Sequence, residues 1–220
     1  MVGAFLAPAQ AHSRQAVQAD RPHRDPFPLV AALDLGTNNC RLLIAQRAAL
    51  GFRVVDSFSR VVRLGDGLTA KGELSAEAMA RTTKAVAVCA EKIYVHRPAH
   101  TRFVATQACR SARNGASFLH QLAQDTGMCF EIIQPDEEAR LAVLGCSDLF
   151  DPTADGALVV DIGGGSTELS WAVAQGGGQR PRLHSFFSAP IGVVSLAEMF
   201  PEHDNRYDWF DDMRRAAGDL

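Results

Sequence analysis

Apolar and polar positions along this chain alternate between a strand period and a helix period. Leu29–Leu35, Arg41–Gln46 and Phe52–Val62 are short, apolar-rich and separated by turn residues, which predicts three strands in an antiparallel meander. Ser75 then suits an N-cap with Glu77 in the first turn, and the spacing of Met79, Val86, Cys89 and Ile93 predicts a long helix ending near His96. A strand at Thr101–Ala105, a helix around Ala116–Asp125 stopped by Gly127, and a strand at Cys129–Ile133 come next. Pro135 and three acids open a helix reaching about Asp148. The predicted order is β-β-β-α-β-α-β-α, an α/β pattern. At Ala157 it starts again: strand Ala157–Ile162, a glycine loop, strand Glu168–Val173, a turn at Gly176–Gly178, a strand near Leu183–Phe187 and a helix at Ile191–Phe200. The organisation expected is therefore a disordered tail over residues 1–28, a first domain over 29–153 and the start of a second over 154–220. Domains typically hold ~100–150 residues, and the few residues after Phe200 cannot complete a second round, so the second domain is expected to be truncated.

Both rounds place the same device after their first strand. Asp34-Leu35-Gly36-Thr37-Asn38-Asn39 and Asp161-Ile162-Gly163-Gly164-Gly165-Ser166-Thr167-Glu168 each end an apolar strand in Asp-hydrophobe-Gly and continue with small and hydroxyl residues. Glycines let backbone N–H groups approach phosphate oxygens, and Ser and Thr hydroxyls add donors. An aspartate at each strand end could hold a hydrated magnesium ion beside a phosphate, since Mg²⁺ favours one or two carboxylates plus water and substrate oxygens. Taken singly, either segment also reads as plain turn punctuation; the repetition argues for two phosphate loops facing one cleft. No G-x-x-x-x-G-K-[ST] occurs, and neither turn is G-x-G-x-x-G, which excludes the two commonest phosphate fingerprints.

These two segments, together with Ala105-Thr106-Gln107-Ala108-Cys109-Arg110-Ser111-Ala112-Arg113-Asn114-Gly115 and Glu131-Ile132-Ile133-Gln134-Pro135-Asp136-Glu137-Glu138-Ala139-Arg140, resemble in order the four motifs of the exopolyphosphatase and guanosine pentaphosphate phosphatase (Ppx/GppA) family. The resemblance runs roughly from Leu29 to Phe200. One departure is Asn39-Cys40, where many members carry Ser and Phe, a change expected to alter packing. The resemblance implies duplicated domains of the actin-like, ribonuclease-H-like superfold. It also implies a magnesium-dependent hydrolase that takes the terminal phosphate from inorganic polyphosphate or the 5′-γ-phosphate from guanosine pentaphosphate, a nucleotide of the stringent response. Many members are dimers, so a homodimer is among the partners it brings into consideration.

For such a reaction the phosphates would be held by Gly36, Thr37, Asn38, Asn39, Gly163, Gly164, Gly165, Ser166 and Thr167, with Asp34, Asp161 and Glu168 ordering the metal and Arg41 and Arg110 neutralising oxygens. Arg110 is assigned by the family-like segment; by itself it reads as an ordinary surface ion-pair arginine. The resemblance makes Glu138 the general base and Glu137 its rival, although acids in the first turn of a helix are favoured by the macrodipole without any catalytic role. Two other readings stay open: an ATP-dependent kinase or ATPase of the same superfold, and a chain that binds polyphosphate or nucleotide without turnover.

Composition narrows the class. With 47% hydrophobic and 21% charged residues and a net charge of −3, the chain has material for a core and no dominating field, and its scattered basic residues do not form a nucleic-acid face. The five cysteines include no C-x-x-C pair, so neither a disulfide framework nor a zinc site is expected, and His96, His100, His120, His184 and His203 show no ligand spacing. No stretch approaches the ~18 apolar residues of a membrane span, and Met1–Ala11 lacks a cationic leader region, so the expected location is cytoplasmic.

Overall fold

The computed structural model describes residues 27–48, 51–151, 153–176, 178–202 and 208–219. The expected tail lies outside them except for Phe27 and Pro28, and the Gln46 amide donates to the Phe27 carbonyl (2.8 Å).

Three strands, β1 (Leu29–Leu35), β2 (Asn39–Arg47) and β3 (Phe52–Val61), form the expected antiparallel meander. A single-turn helix α1 (Leu68–Lys71) leads to α2 (Ala76–His96), whose N-terminus is capped as predicted, Ser75 Oγ accepting from the Ala78 N–H (3.2 Å). Strand β4 (His100–Ala105) adds parallel to β1; after α3 (Gln107–Ser111) and α4 (Gly115–Thr126), β5 (Glu131–Ile132) adds parallel to β4. The sheet order is β3-β2-β1-β4-β5. Its core joins Leu33, Leu35, Leu42 and Ile44 from the strands with Ala78, Ala85, Val86 and Cys89 from α2 and Leu122 from α4. Cys40, which follows Asn39, is fully buried there, in the same cluster as Cys89 of α2.

Helix α5 (Pro135–Gly145) crosses to a second sheet, where β6 (Gly156–Ile162), β7 (Thr167–Val173) and β8 (Arg182–Ala189) form another antiparallel meander against which α5 packs. Helices α6 (Val193–Met199) and α7 (Asp208–Gly218) follow. The mixed α/β architecture and its repetition agree with the expected fold class. The repetition holds at the level of register: Asp34 sits opposite Arg41, and Asp161 opposite Glu168. Both turns close with the same bond, Gly36 N–H to Asn39 O and Gly163 N–H to Ser166 O, each 2.9 Å.

One face breaks the symmetry. The pair Leu33/Leu42 is sealed in the first sheet, whereas the equivalent pair Val160/Leu169 is 50% and 40% exposed, and Leu158 and Trp171 beside it are exposed too.

Some elements differ from the periodicity reading. The strand expected over Cys129–Ile133 keeps two residues, because only Glu131 and Ile132 find partners on β4. The helix expected to reach Asp148 ends at Gly145 and gives way to a 3₁₀ turn at Ser147–Leu149. The short α1 and α3 were not expected; four or five residues carry no readable period. Helix α7 also lies where no element was expected. None of the described helices is long and apolar enough to cross a membrane.

Candidate active site

The two β-turns meet. A Cβ added to Gly164 would lie 3.0 Å from Thr37 Cβ and 3.2 Å from the Asn38 backbone N, and one added to Gly165 would lie 2.8 Å from Thr37 Oγ1 and 3.0 Å from Gln107 Cγ. These glycines are therefore needed first for the loops to touch each other. The carbonyls of the second loop face α6: the Val193 N–H donates to Gly163 O (3.0 Å), and the Val194 and Ser195 N–H groups to Gly164 O (2.8 and 3.2 Å). Among the described residues, the N–H groups of Thr37, Asn38, Gly164, Gly165 and Ser166 have no protein acceptor. Buried or half-buried N–H groups left unpaired by a folded chain are rare, and successive ones form an anion-binding concavity.

Between the loops lies a cavity of about 180 Å³. From the first hairpin Asp34, Gly36, Thr37, Asn38, Asn39 and Arg41 line it; from the second, Asp161, Gly163, Gly164, Gly165, Ser166 and Glu168 do. Glu138 reaches it from α5. Fifteen candidate positions were read from the sequence besides Arg110, and two of them are elsewhere. Thr167 turns away, its hydroxyl donating to Ile191 O (2.7 Å). Glu137 points outward and is paired with Arg102 (2.9 Å) and Arg140 (2.6 Å). Adjacent residues on a helix face directions ~100° apart, so one of the two glutamates had to leave the cleft.

Arg110 does not line the cavity either. It stands behind Glu138: Nη1 donates to Ile133 O (2.6 Å) and to Glu138 Oε2 (3.3 Å), and Nη2 to Gln107 Oε1 (2.6 Å) and to Glu138 Oε2 (3.4 Å). As placed, it serves the carboxylate and not a phosphate. Among the described residues, the cation facing the cavity is Arg41. Thr106, Gln107 and Val193 line it without having been assigned a role from the sequence. Thr106 and Gln107 fall inside the arginine-bearing segment, which was the available signal; Val193 comes close only through α6.

The electrostatics separate the two glutamates. Burial, reinforced by Glu168 and only partly offset by Arg110, pushes the Glu138 carboxyl up to about 7. The guanidinium of Arg140, helped by Arg102, holds Glu137 down at about 2. Burial also raises Asp34, with Arg41 opposing and Asp161 adding to the rise. Glu168 is buried, with one oxygen accepting from Ser188 Oγ (2.8 Å). Among the described residues no three acidic, His or Cys side chains gather into a preformed metal shell. Asp34, Asp161 and Glu168 instead line one cavity and include a mutually repelling pair, Asp34 and Asp161. This donor set fits a cation such as Mg²⁺, which takes one or two carboxylates and completes its octahedron with water and substrate oxygens.

The protein-family model described as the Ppx/GppA phosphatase family matches residues 43–217. The chain belongs to the Ppx/GppA phosphatase family. Solved structures agree. An exopolyphosphatase-like protein is 33% identical with a TM-score of 0.77, over 88% of this chain and 60% of that one. The Aquifex aeolicus PPX-GPPA enzyme is 28% identical with a TM-score of 0.68, over 86% and 61%. An exopolyphosphatase from Cytophaga hutchinsonii is 25% identical with a TM-score of 0.71, over 84% and 60%. The chain thus spans about three-fifths of the length of these family members.

Proposed function

We propose that this chain carries the hydrolytic site of a phosphoanhydride hydrolase, one that removes the terminal phosphate from inorganic polyphosphate or the 5′-γ-phosphate from guanosine pentaphosphate with a divalent cation. The observation that carries this reading is the placement of Glu138, which enters the cavity between two loops that leave the N–H groups of Thr37, Asn38, Gly164, Gly165 and Ser166 without a protein acceptor among the described residues. Hydrolysis needs an in-line water, neutralised phosphate oxygens and a group that takes the proton of the water. The free N–H groups of both loops and the Thr37 and Ser166 side chains bind the terminal phosphate, and Arg41 adds a charge-assisted contact. Glu138 accepts the proton. A base is most effective when its pKa lies near working pH, and burial has brought Glu138 to about 7. Arg110 orients the Glu138 carboxylate from behind. Asp34, Asp161 and Glu168 would hold Mg²⁺, directly or through water, and the ion would supply further neutralisation of phosphate oxygens. Membership of a phosphatase family supports the same reaction class.

The test is phosphate release by the purified chain with Mg²⁺, comparing polyphosphate, guanosine pentaphosphate and ATP, with Glu138→Gln as the control. Release from one of the first two substrates, lost in the variant, is the expected result. Turnover of ATP alone would overturn the substrate class, and stoichiometric binding with no release would overturn the hydrolase reading.

A further inference from the structure

A ring of hydrogen bonds joins the two loops by way of residues 62–67 and α6. From the first loop, the Thr37 carbonyl accepts from the Gly65 N–H (2.9 Å), and the Asn38 carbonyl accepts from the N–H groups of Val62 (2.8 Å) and Arg63 (3.0 Å). The segment from Val62 to Gly67 is thereby fastened to the first loop. From the second loop, Gly163 and Gly164 are bound to the first turn of α6. Gly192, just before α6, has no room for a side chain, since an added Cβ would meet Gly163 O at 2.5 Å. The ring closes at one point, where the Gly67 N–H donates to Glu198 Oε1 (2.6 Å). Gly67 begins α1 in the left-handed region (φ 75°), and no side chain of its own segment caps it. Among the described residues, and away from the turn closed by the Ala154 N–H to Asp151 O bond, this is the hydrogen bond between the first loop's half of the molecule and the second's, which otherwise meet where the loops touch and where α5 packs on the second sheet. A second cavity, of about 170 Å³, lies beside the tie and is lined by Thr37, Gly65, Gly165 and Glu198.

We infer that Glu198 is a positioning residue that sets the gap between the two phosphate loops by tying α6 to the start of α1. The geometry gives it leverage. One end of α6 is bolted to Gly163 and Gly164, and Glu198 sits near the other end, so releasing the tie lets α6 and the glycine loop turn together away from Thr37. The N–H donors of the two loops can converge on one phosphate only while that gap is held. Loss of the tie therefore weakens phosphate capture, whereas Glu138 and Arg110, fixed within α5 and α3, keep their arrangement.

The experiment has two arms, and only the second rests on reading the cavity as a phosphate site. In a Cys129→Ser, Cys146→Ser background, spin labels at Ser117→Cys and His184→Cys report the distance between the two sheets' units. Glu198→Ala is expected to broaden and lengthen that distribution, and Glu198→Gln, which keeps a carbonyl acceptor, to lie between it and the unmodified chain. In the second arm, Glu198→Ala raises the dissociation constant for inorganic phosphate, and KM, about tenfold, ~1.4 kcal/mol, with kcat retained. Equal urea midpoints for all three proteins exclude unfolding as the cause. An unchanged distance distribution in Glu198→Ala overturns the inference, as does a loss of kcat at constant KM. If the unmodified chain binds no phosphate but Glu198→Ala still broadens the distances, the tie stands and the hydrolase reading is what fails.

Discussion

Replacing Glu138 by Gln should stabilise the protein and disable it together. The Glu138 carboxyl titrates at about 7 against an ordinary value of 4.5, chiefly because it is buried, with Glu168 and Asp34 adding to the rise and Arg110 opposing it. A raised carboxyl pKa means the folded chain binds more protons than the unfolded one between these two values, so stability falls as pH rises from about 4.5 to about 7 and stays low above. At ~1.36 kcal/mol per pKa unit, the charged form costs about 3 kcal/mol at pH 8. The neutral amide of the variant carries no such cost. Urea unfolding at pH 4 should show the two proteins nearly equal, and at pH 8 the variant should be more stable by up to about 3 kcal/mol. Phosphate release should meanwhile fall by ~10²–10⁴-fold, the usual contribution of a general base. In the unmodified chain kcat/KM should rise with pH through about 7, since the base must be ionised. A stability difference that is the same at pH 4 and pH 8 would refute the burial argument; undiminished release by the variant would refute the base assignment.

Other changes separate the neighbours. Glu137→Gln removes only solvent-side pairs with Arg102 and Arg140, so it should cost less than about 1 kcal/mol in urea unfolding and leave phosphate release intact; a loss like that of Glu138→Gln would reverse the choice of base. Gly165→Ala drives a methyl into Thr37 Oγ1 at 2.8 Å and Gln107 Cγ at 3.0 Å; overpacking of ~1–3 kcal/mol should appear as weaker phosphate binding by calorimetry. Arg41→Met removes the cation facing the cavity, and losing one charge-assisted contact of ~1.5–3 kcal/mol should raise KM tenfold or more, whereas an unchanged KM would place the phosphate elsewhere. Chelation of divalent cations should stop phosphate release and added Mg²⁺ restore it; release that survives exhaustive chelation would remove Asp34, Asp161 and Glu168 from a metal role.

The sequence by itself determined the strands, the long helices and the repeated strand-turn-strand device, because each rests on local periods and on turn residues whose backbone chemistry is intrinsic to the residue. Ser75 capped its helix as its type dictates, and Asp34 and Asp161 took matching places because each stands two residues before the Gly that opens the turn. The single-turn α1 and α3, and α7 beyond Phe200, carried no comparable signal. What the tertiary structure decided was direction and partnership. Neighbouring acids on α5 look alike along the chain, yet the helix packs on the second sheet so that Glu138 enters the cavity and Glu137 meets two arginines. Arg110 was legible as a charged residue in a family-like segment, but only the fold put Glu138, Gln107 and the Ile133 carbonyl around its guanidinium. The glycines of the second loop were legible as a place for phosphate; that they also make room for Thr37 depends on two segments more than a hundred residues apart being pressed together. Contacts of that range arise from packing, and no local period records them.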